Sequence, residues 1–330
     1  MVDNLKNLEN KIFAIQNNEE FEQLSIEIFR FQYQHNKIYK QYIDLLKKDI
    51  NAIQTIENIP FLPIELFKSH EIVAKEPPFS TCFLSSATTG MQQSKHFVKN
   101  IDIYKQSYTK CFQQFYGNPS EYVILALLPS YLEREGSSLI YMVEDLIKQG
   151  KQGSGFYLYQ HQQLFEQLSQ IANQQQKCIL FGVSFALLDF ADNYKINFPE
   201  LIIMETGGMK GRREEITKKE LHTILQNAFN VNSIHSEYGM TELLSQGYSK
   251  GNGIFETPNW MKILIRDTND PFDYVANNKT GGINVTDLAN IYSCSFIATQ
   301  DIGIKYNNNT FEILGRFDNS DIRGCNLLVV

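Results

Sequence analysis

Four short stretches of the sequence combine residue types that could do chemistry. The first is Phe83-Leu84-Ser85-Ser86-Ala87-Thr88-Thr89-Gly90, followed by Ser94-Lys95. Small hydroxyl residues around a glycine aim backbone N–H and O–H donors into one concavity, with a lysine close by. That is what a polyphosphate needs. The stretch is not a GxxxxGK[ST] phosphate loop, because no glycine stands five residues before Gly90 and Lys95 does not follow it directly. An ordinary Ser/Thr turn has the same composition. The second is Glu205-Thr206-Gly207-Gly208, after the apolar run Leu201–Met204. Ligands sit at the carboxyl ends of strands in open parallel sheets, and paired glycines let a flat ring lie on bare backbone. Taken alone, the pair also suits a plain strand-to-helix turn.

The third stretch is Tyr238-Gly239-Met240-Thr241-Glu242, directly after a short strand expected near Val231–His235. Tyrosine offers an aromatic face to a base, threonine a hydroxyl to a phosphate, and glutamate a hard oxygen to Mg²⁺. A helix start capped by Thr241 is the alternative. The fourth is Asp301-Ile302-Gly303, with Gly315-Arg316 and Asp318 further on. A carboxylate fixed beside a turn can take both hydroxyls of a ribose, and Arg316 can reach the same sugar or a phosphate.

These residues need a frame. Phe21, Leu24, Ile28, Phe31, Ile38, Tyr42 and Leu45 follow three-four spacing, which predicts a helical stretch capped by Asn17 or Asn18. Ile59-Pro60-Phe61-Leu62-Pro63 breaks it into an extended crossing segment. From Tyr122 onward, buried-strand runs (Tyr122–Leu128, Gly155–Tyr159, Cys178–Val183, Leu201–Met204) alternate with helical patterns such as Ile216 to Ala228. Alternation of this kind predicts βαβ units and a parallel sheet. After about Gly251 short strands follow one another, the pattern of a small antiparallel barrel or sheet, with Asn307-Asn308-Asn309 as a hairpin tip. The expected class is α/β with three parts. Residues 1–75 form a helical segment packed on the main body, 76–250 an α/β nucleotide-binding body, and 251–330 a β-rich module.

Composition narrows the function classes. The 330 residues carry a formal charge of −7 with pI near 5.5, which argues against a dedicated nucleic-acid binder. Cys82, Cys111, Cys178, Cys294 and Cys325 form no CxxC pair, which excludes a disulfide scaffold or zinc knuckle and fits a reducing, cytoplasmic setting. The opening residues lack a signal-peptide apolar region, and no run approaches the ~18 apolar residues of a membrane span.

The order of the motifs is more specific than any one of them. Hydroxyl-rich loop, Gly-Gly, Tyr-Gly-x-Thr-Glu, Asp-x-Gly and Gly-Arg-x-Asp together resemble the adenylate-forming acyl- and aryl-CoA ligase superfamily. Within it, the chain is most similar to the acyl-protein synthetases of LuxE type, and more distantly to phenylacetate-CoA ligases. The likeness runs from about Ile59 to the end and includes Leu128-Pro129-Ser130-Tyr131-Leu132-Glu133-Arg134 and Arg323-Gly324-Cys325. It implies the fold of the large N-terminal domain of those enzymes, parallel βαβ sheets plus a small β-barrel-like module. It also implies ATP- and Mg²⁺-dependent conversion of a carboxylic acid, a fatty acid by family likeness, to an acyl-adenylate.

The resemblance assigns roles residue by residue. Ser85, Ser86, Thr88, Thr89, Gly90 and Lys95 would hold the ATP phosphates, and Gly207, Gly208 and Tyr238 the adenine. Thr241 would touch the α-phosphate, Glu242 would ligate Mg²⁺, and Asp301 and Arg316 would hold the ribose. Two positions depart from the family pattern: Ala87 stands where glycine is usual, and Gln93 where proline commonly precedes Ser-Lys. Only twelve residues follow Asp318, so the further domain that carries a catalytic lysine in relatives is expected to be absent. Cys325 is then a candidate acyl acceptor: a thiol beside Arg323 would favour thiolate, while a buried apolar role in a last strand is the alternative. Hand-over from Cys325 to a partner acyl reductase is the first expectation. Transfer to coenzyme A or a carrier protein, or a non-catalytic nucleotide-binding subunit, are the others.

Overall fold

The computed structural model describes residues 2–74, 78–86, 92–129, 136–208, 213–214 and 216–317. Thr88, Thr89, Gly90, Cys325, Ala87 and the Glu133-Arg134 pair lie outside those residues. The strands, in chain order, are β1 (Leu62–Pro63), β2 (Thr81–Leu84), β3 (Lys95–Val98), β4 (Val123–Leu127), β5 (Gly155–Phe156), β6 (Cys178–Gly182) and β7 (Ile202–Glu205). They continue with β8 (His235–Tyr238), β9 (Gly247–Ser249), β10 (Ile254–Glu256), β11 (Met261–Arg266), β12 (Thr280–Asp287), β13 (Phe296–Lys305) and β14 (Phe311–Arg316).

In the parallel part, β4 and β6 are buried at every residue, as expected for apolar runs covered on both faces of a parallel sheet. They pair in parallel with each other and with β5 on one side and β7 on the other, and β8 continues the parallel set. Helices Ser138–Gln149, His161–Asn173, Ser184–Asn193 and Lys218–Phe229 make the crossovers. The last two pack through stacked rings of Phe190 and Phe229, 5.5 Å apart. Beyond β8 the pairing turns antiparallel, and β9 to β14 extend the same sheet in the order β8-β9-β10-β14-β13-β12-β11. The strands expected after Gly251 are thus continuous with the parallel body. The β13–β14 hairpin turns at Asn307-Asn308-Asn309, where Asn309 adopts a left-handed φ of 65°.

The N-terminal stretch is two main helices rather than one. Asn17 caps Asn18–His35 by accepting from the Glu20 N–H, and Asn36 both ends that helix and caps Lys37–Leu45. This pair is fastened by buried polar side chains. The Gln32 amide donates to the carbonyls of Asn290 and Ile291 and to the Ser295 hydroxyl, and accepts from the Ser295 N–H. Asn36 donates to the Ser293 carbonyl at 2.9 Å. The helices therefore grip segment 290–295, whose first residue reaches the site. The crossing segment Ile59–Pro63 contributes the two-residue β1, parallel to β13 at Leu62↔Ile297. Across β12 and β13 the Arg266 guanidinium donates to the carbonyls of Ile283 and Thr299, and its bulk over Gly282 leaves no room for a Cβ there. Among the described residues no helix is long and apolar enough to cross a membrane.

Candidate active site

The carboxyl ends of β7 and β8 open onto a cavity of about 920 Å³, large for a ligand pocket. It collects residues from all four stretches. Ser85, Ser86, Gly207 and Gly208 line it, as do Tyr238, Thr241, Glu242, Asp301 and Arg316. Lys95 stands apart: it begins β3, is exposed, and is not part of the cavity wall. Its neighbours Gln93 and Ser94 line the wall instead.

Each position has a local cause. β2 and β3 pair antiparallel with Leu84 opposite Lys95, and Ser85 extends that ladder: its N–H donates to the Ser94 carbonyl and its hydroxyl accepts from the Ser94 N–H. Gln93 donates its side-chain amide to the Ser85 carbonyl at 2.8 Å. After β7 the chain bends at Gly207 and Gly208, which both adopt left-handed φ (77° and 93°). The bend is held by Glu205, a buried carboxylate that accepts from the Gly207 N–H, the Ser184 hydroxyl and the Ser236 hydroxyl.

Tyr238 ends β8; the strand is His235–Tyr238, a few residues later than the sequence suggested. The following Gly239–Leu244 segment is a turn, so Thr241 caps no helix. The turn is fixed from behind. His96 is buried and within hydrogen-bonding distance of the Thr241 carbonyl (2.8 Å) and the Asn290 side-chain oxygen (2.9 Å). The Asn290 amide donates to the Glu242 carbonyl at 2.7 Å. Burial pulls His96 down to about 4, which keeps it a neutral brace near neutral pH. Behind these, Asp287 accepts from the N–H groups of Leu244, Ser245 and Ala289 and from the Ser245 hydroxyl.

The Glu242 carboxyl is 6% exposed, hydrogen-bonded by the Ser94 side chain, and raised by burial. A buried carboxylate on a cavity wall is stabilised by an arriving cation. Magnesium usually takes one or two carboxylates plus substrate phosphates, and among the described residues no cluster of three or more His, Cys, Asp or Glu offers a closed metal cage. Glu242 therefore fits a metal that arrives with its phosphates.

Asp301 and Arg316 face each other across β13 and β14. Arg316 Nε donates to Asp301 Oδ1 at 2.9 Å, and the Tyr238 hydroxyl donates to Oδ2 at 2.8 Å. The Asp301 side chain is almost covered while that of Arg316 is largely exposed, so the carboxylate is fixed and the guanidinium keeps donors free. The Tyr238 hydroxyl is raised well above its ordinary range by burial and by Asp301.

Glu237, Gln246, Lys218, Tyr104 and Ser138 also line the cavity, and the sequence motifs did not single them out. The available signal was an acid inside an otherwise buried strand end, as in His235-Ser236-Glu237-Tyr238. His235 is off the cavity wall, with Nδ1 3.1 Å from the Tyr116 hydroxyl. Cys111, Cys178 and Cys294 are buried and their thiols are raised by burial, in keeping with inert core positions; Cys82 is half-buried.

The fold is that of the large N-terminal domain of adenylate-forming ligases. A 2-hydroxyisobutyryl-CoA ligase in complex with 2-HIB-AMP and CoA superposes with a TM-score of 0.66 at 12% identity, over 92% of this chain and 72% of that one. ATP-bound MatB from Rhodopseudomonas palustris superposes with a TM-score of 0.54 at 14% identity, over 83% of this chain and 52% of that one. The chain thus spans about seven-tenths of the first structure and about half of the second. Residues 9–120 match the acyl-protein synthetase LuxE family, and no curated protein matches the chain. That match covers about a third of the chain and agrees with the resemblance read from the motifs. The matched segment starts earlier than the motifs did, at the helices that grip segment 290–295.

Proposed function

We propose that this chain uses ATP to activate a carboxylic acid as its acyl-adenylate and then passes the acyl group to a thiol. The observation that carries the reading is convergence. Gly207–Gly208, Tyr238, Thr241–Glu242 and Asp301–Arg316 come from distant parts of the sequence and meet around one cavity at the carboxyl ends of the parallel strands.

In the first step a carboxylate oxygen of the acid attacks the α-phosphorus of ATP, and the bond to pyrophosphate breaks. Ser85 and Ser86, with Thr88, Thr89 and Gly90 of the same loop, hold the phosphates. Lys95, exposed at the start of β3, supplies the cation for those phosphates. Gly207, Gly208 and Tyr238 receive the adenine, while Asp301 and Arg316 take the ribose hydroxyls. Thr241 donates its hydroxyl to an α-phosphate oxygen as charge builds there. Glu242 would hold Mg²⁺, whose chemistry is to neutralise phosphate charge. In the second step a thiolate attacks the acyl carbon and AMP leaves.

Family likeness alone would make the acid a fatty acid and the acceptor Cys325, with onward delivery to a partner acyl reductase. Coenzyme A is the second reading, favoured by the ligase that superposes over most of this chain. Labelled acid with ATP should leave hydroxylamine-sensitive label on the wild type and none on Cys325→Ser. Equal labelling of both removes Cys325, and acyl-CoA formed on adding coenzyme A selects the second reading.

A further inference from the structure

Part of the cavity wall is polar and without partners. Gln246 is 3% exposed, and its side-chain oxygen is buried with no hydrogen-bond donor. Glu237 is half-buried, lines the same cavity, and its carboxyl enters none of the hydrogen bonds or ion pairs described. The two are neighbours: a Cβ placed on Gly239 would overlap the Glu237 carboxyl and lie 3.6 Å from Gln246 Cγ. None of the nucleotide-binding roles above uses either residue. Buried polar groups are almost always hydrogen-bonded, so the unpaired Gln246 oxygen, with the Glu237 carboxyl beside it on a cavity wall, marks a place where a ligand supplies the partner.

We propose that Glu237 and Gln246 select the acid, which carries a neutral hydrogen-bond donor, a hydroxyl or an amide N–H, away from its carboxylate. The inference rests on the reading of this cavity as an acid-activating site and deepens it. A plain alkyl chain would seal both groups away from water without giving either a partner. A donor on the substrate satisfies the Gln246 oxygen, and the Glu237 carboxyl accepts or donates beside it. Lys218, half-enclosed on the same wall, disfavours a cationic ammonium as the donor and leaves a neutral group as the better match. Sites built to hydrogen-bond a substrate group reject analogues that lack it, because their own polar atoms are then stranded.

The test compares straight alkanoic acids with acids of equal length bearing a terminal hydroxyl or carboxamide. Carboxylate-dependent ATP–pyrophosphate exchange should favour the donor-bearing acids by about 10- to 100-fold in kcat/KM. Glu237→Leu and Gln246→Leu should shrink or invert that preference. Equal or better exchange with alkanoic acids in the wild type overturns the inference, as does an unchanged preference in both folded variants. The wild-type comparison stands whether or not a variant folds. Calorimetric binding of the same acids separates the two readings. A retained preference without exchange sinks adenylation and leaves the inference, exchange without preference does the reverse, and no binding of either series overturns both.

Discussion

Glu237→Gln should make the protein more stable, and by an amount that grows with pH. Burial, with Glu205 nearby, pushes the Glu237 carboxyl from its ordinary 4.5 up to about 8. Between those values the unfolded chain is ionised at this position while the native one keeps its proton. The native state therefore binds more protons, and stability falls as pH rises through this window. Each unit corresponds to about 1.4 kcal/mol, so the native form gives up at most about 3 kcal/mol at pH 7 but under about 1 kcal/mol at pH 5. Water in the cavity screens part of this, which leaves a differential of about 1–2 kcal/mol between the two pH values. Glutamine keeps the shape and never ionises, so the variant escapes the loss. With unfolding entropy of about 0.7 kcal/mol/K for a chain of 330 residues, its Tm advantage should be about 1.5–3 °C larger at pH 7 than at pH 5. Thermal unfolding of both proteins at pH 5, 6, 7 and 8 measures it. A Tm difference that is flat with pH, or that shrinks as pH rises, refutes the reasoning.

Two further perturbations probe the frame. Asp301→Asn replaces a carboxylate that receives both the Tyr238 hydroxyl and Arg316 with an amide that cannot pair its NH₂ with the guanidinium. Loss of a charge-assisted bond, about 1.5–3 kcal/mol, should raise the ATP KM roughly 10- to 100-fold while the protein stays folded; unchanged ATP kinetics would remove this pair from ribose binding. His96→Ala removes the imidazole packed between the Thr241 carbonyl and the Asn290 oxygen, and with it the one N–H that a neutral ring donates to either. It should cost about 1–3 kcal/mol in stability and lower exchange kcat more than ATP affinity; a stable variant with normal kcat would show that the turn holds without it.

The cavity-lining motifs were legible because they rest on backbone geometry and local residue types. Paired glycines at the end of an apolar run read correctly as a strand end, and both adopt the left-handed φ that glycine permits. Alternating apolar runs and helical patterns likewise identified the parallel strands β4, β5, β6 and β7. Side-chain chemistry sets the boundary inside the expected helical stretch at Asn36, which ends one helix and caps the next. The supporting layer was invisible for a different reason. His96, Asn290 and Glu242 are joined across gaps of 194 and 48 positions, and Gln32 reaches Asn290 across 258. No local spacing encodes such contacts. Strand alternation turns Ser94 toward Glu242 and leaves Lys95, the phosphate ligand expected from the motif, exposed at the start of β3. Glu237 was passed over because an acid beside a tyrosine in a short strand looks like an ordinary solvent-facing position.

The central claim is that Thr241, Glu242, Asp301 and Arg316 form an adenylating site. Carboxylate-dependent ATP–pyrophosphate exchange, run over a panel of acids on the wild type and on Glu242→Ala, tests it most directly. The account predicts exchange by the wild type with at least one acid, and a loss of about 100-fold or more in the variant with folding intact. Absence of exchange with every acid in a folded, ATP-binding protein, or equal exchange in the Glu242→Ala variant, would contradict it.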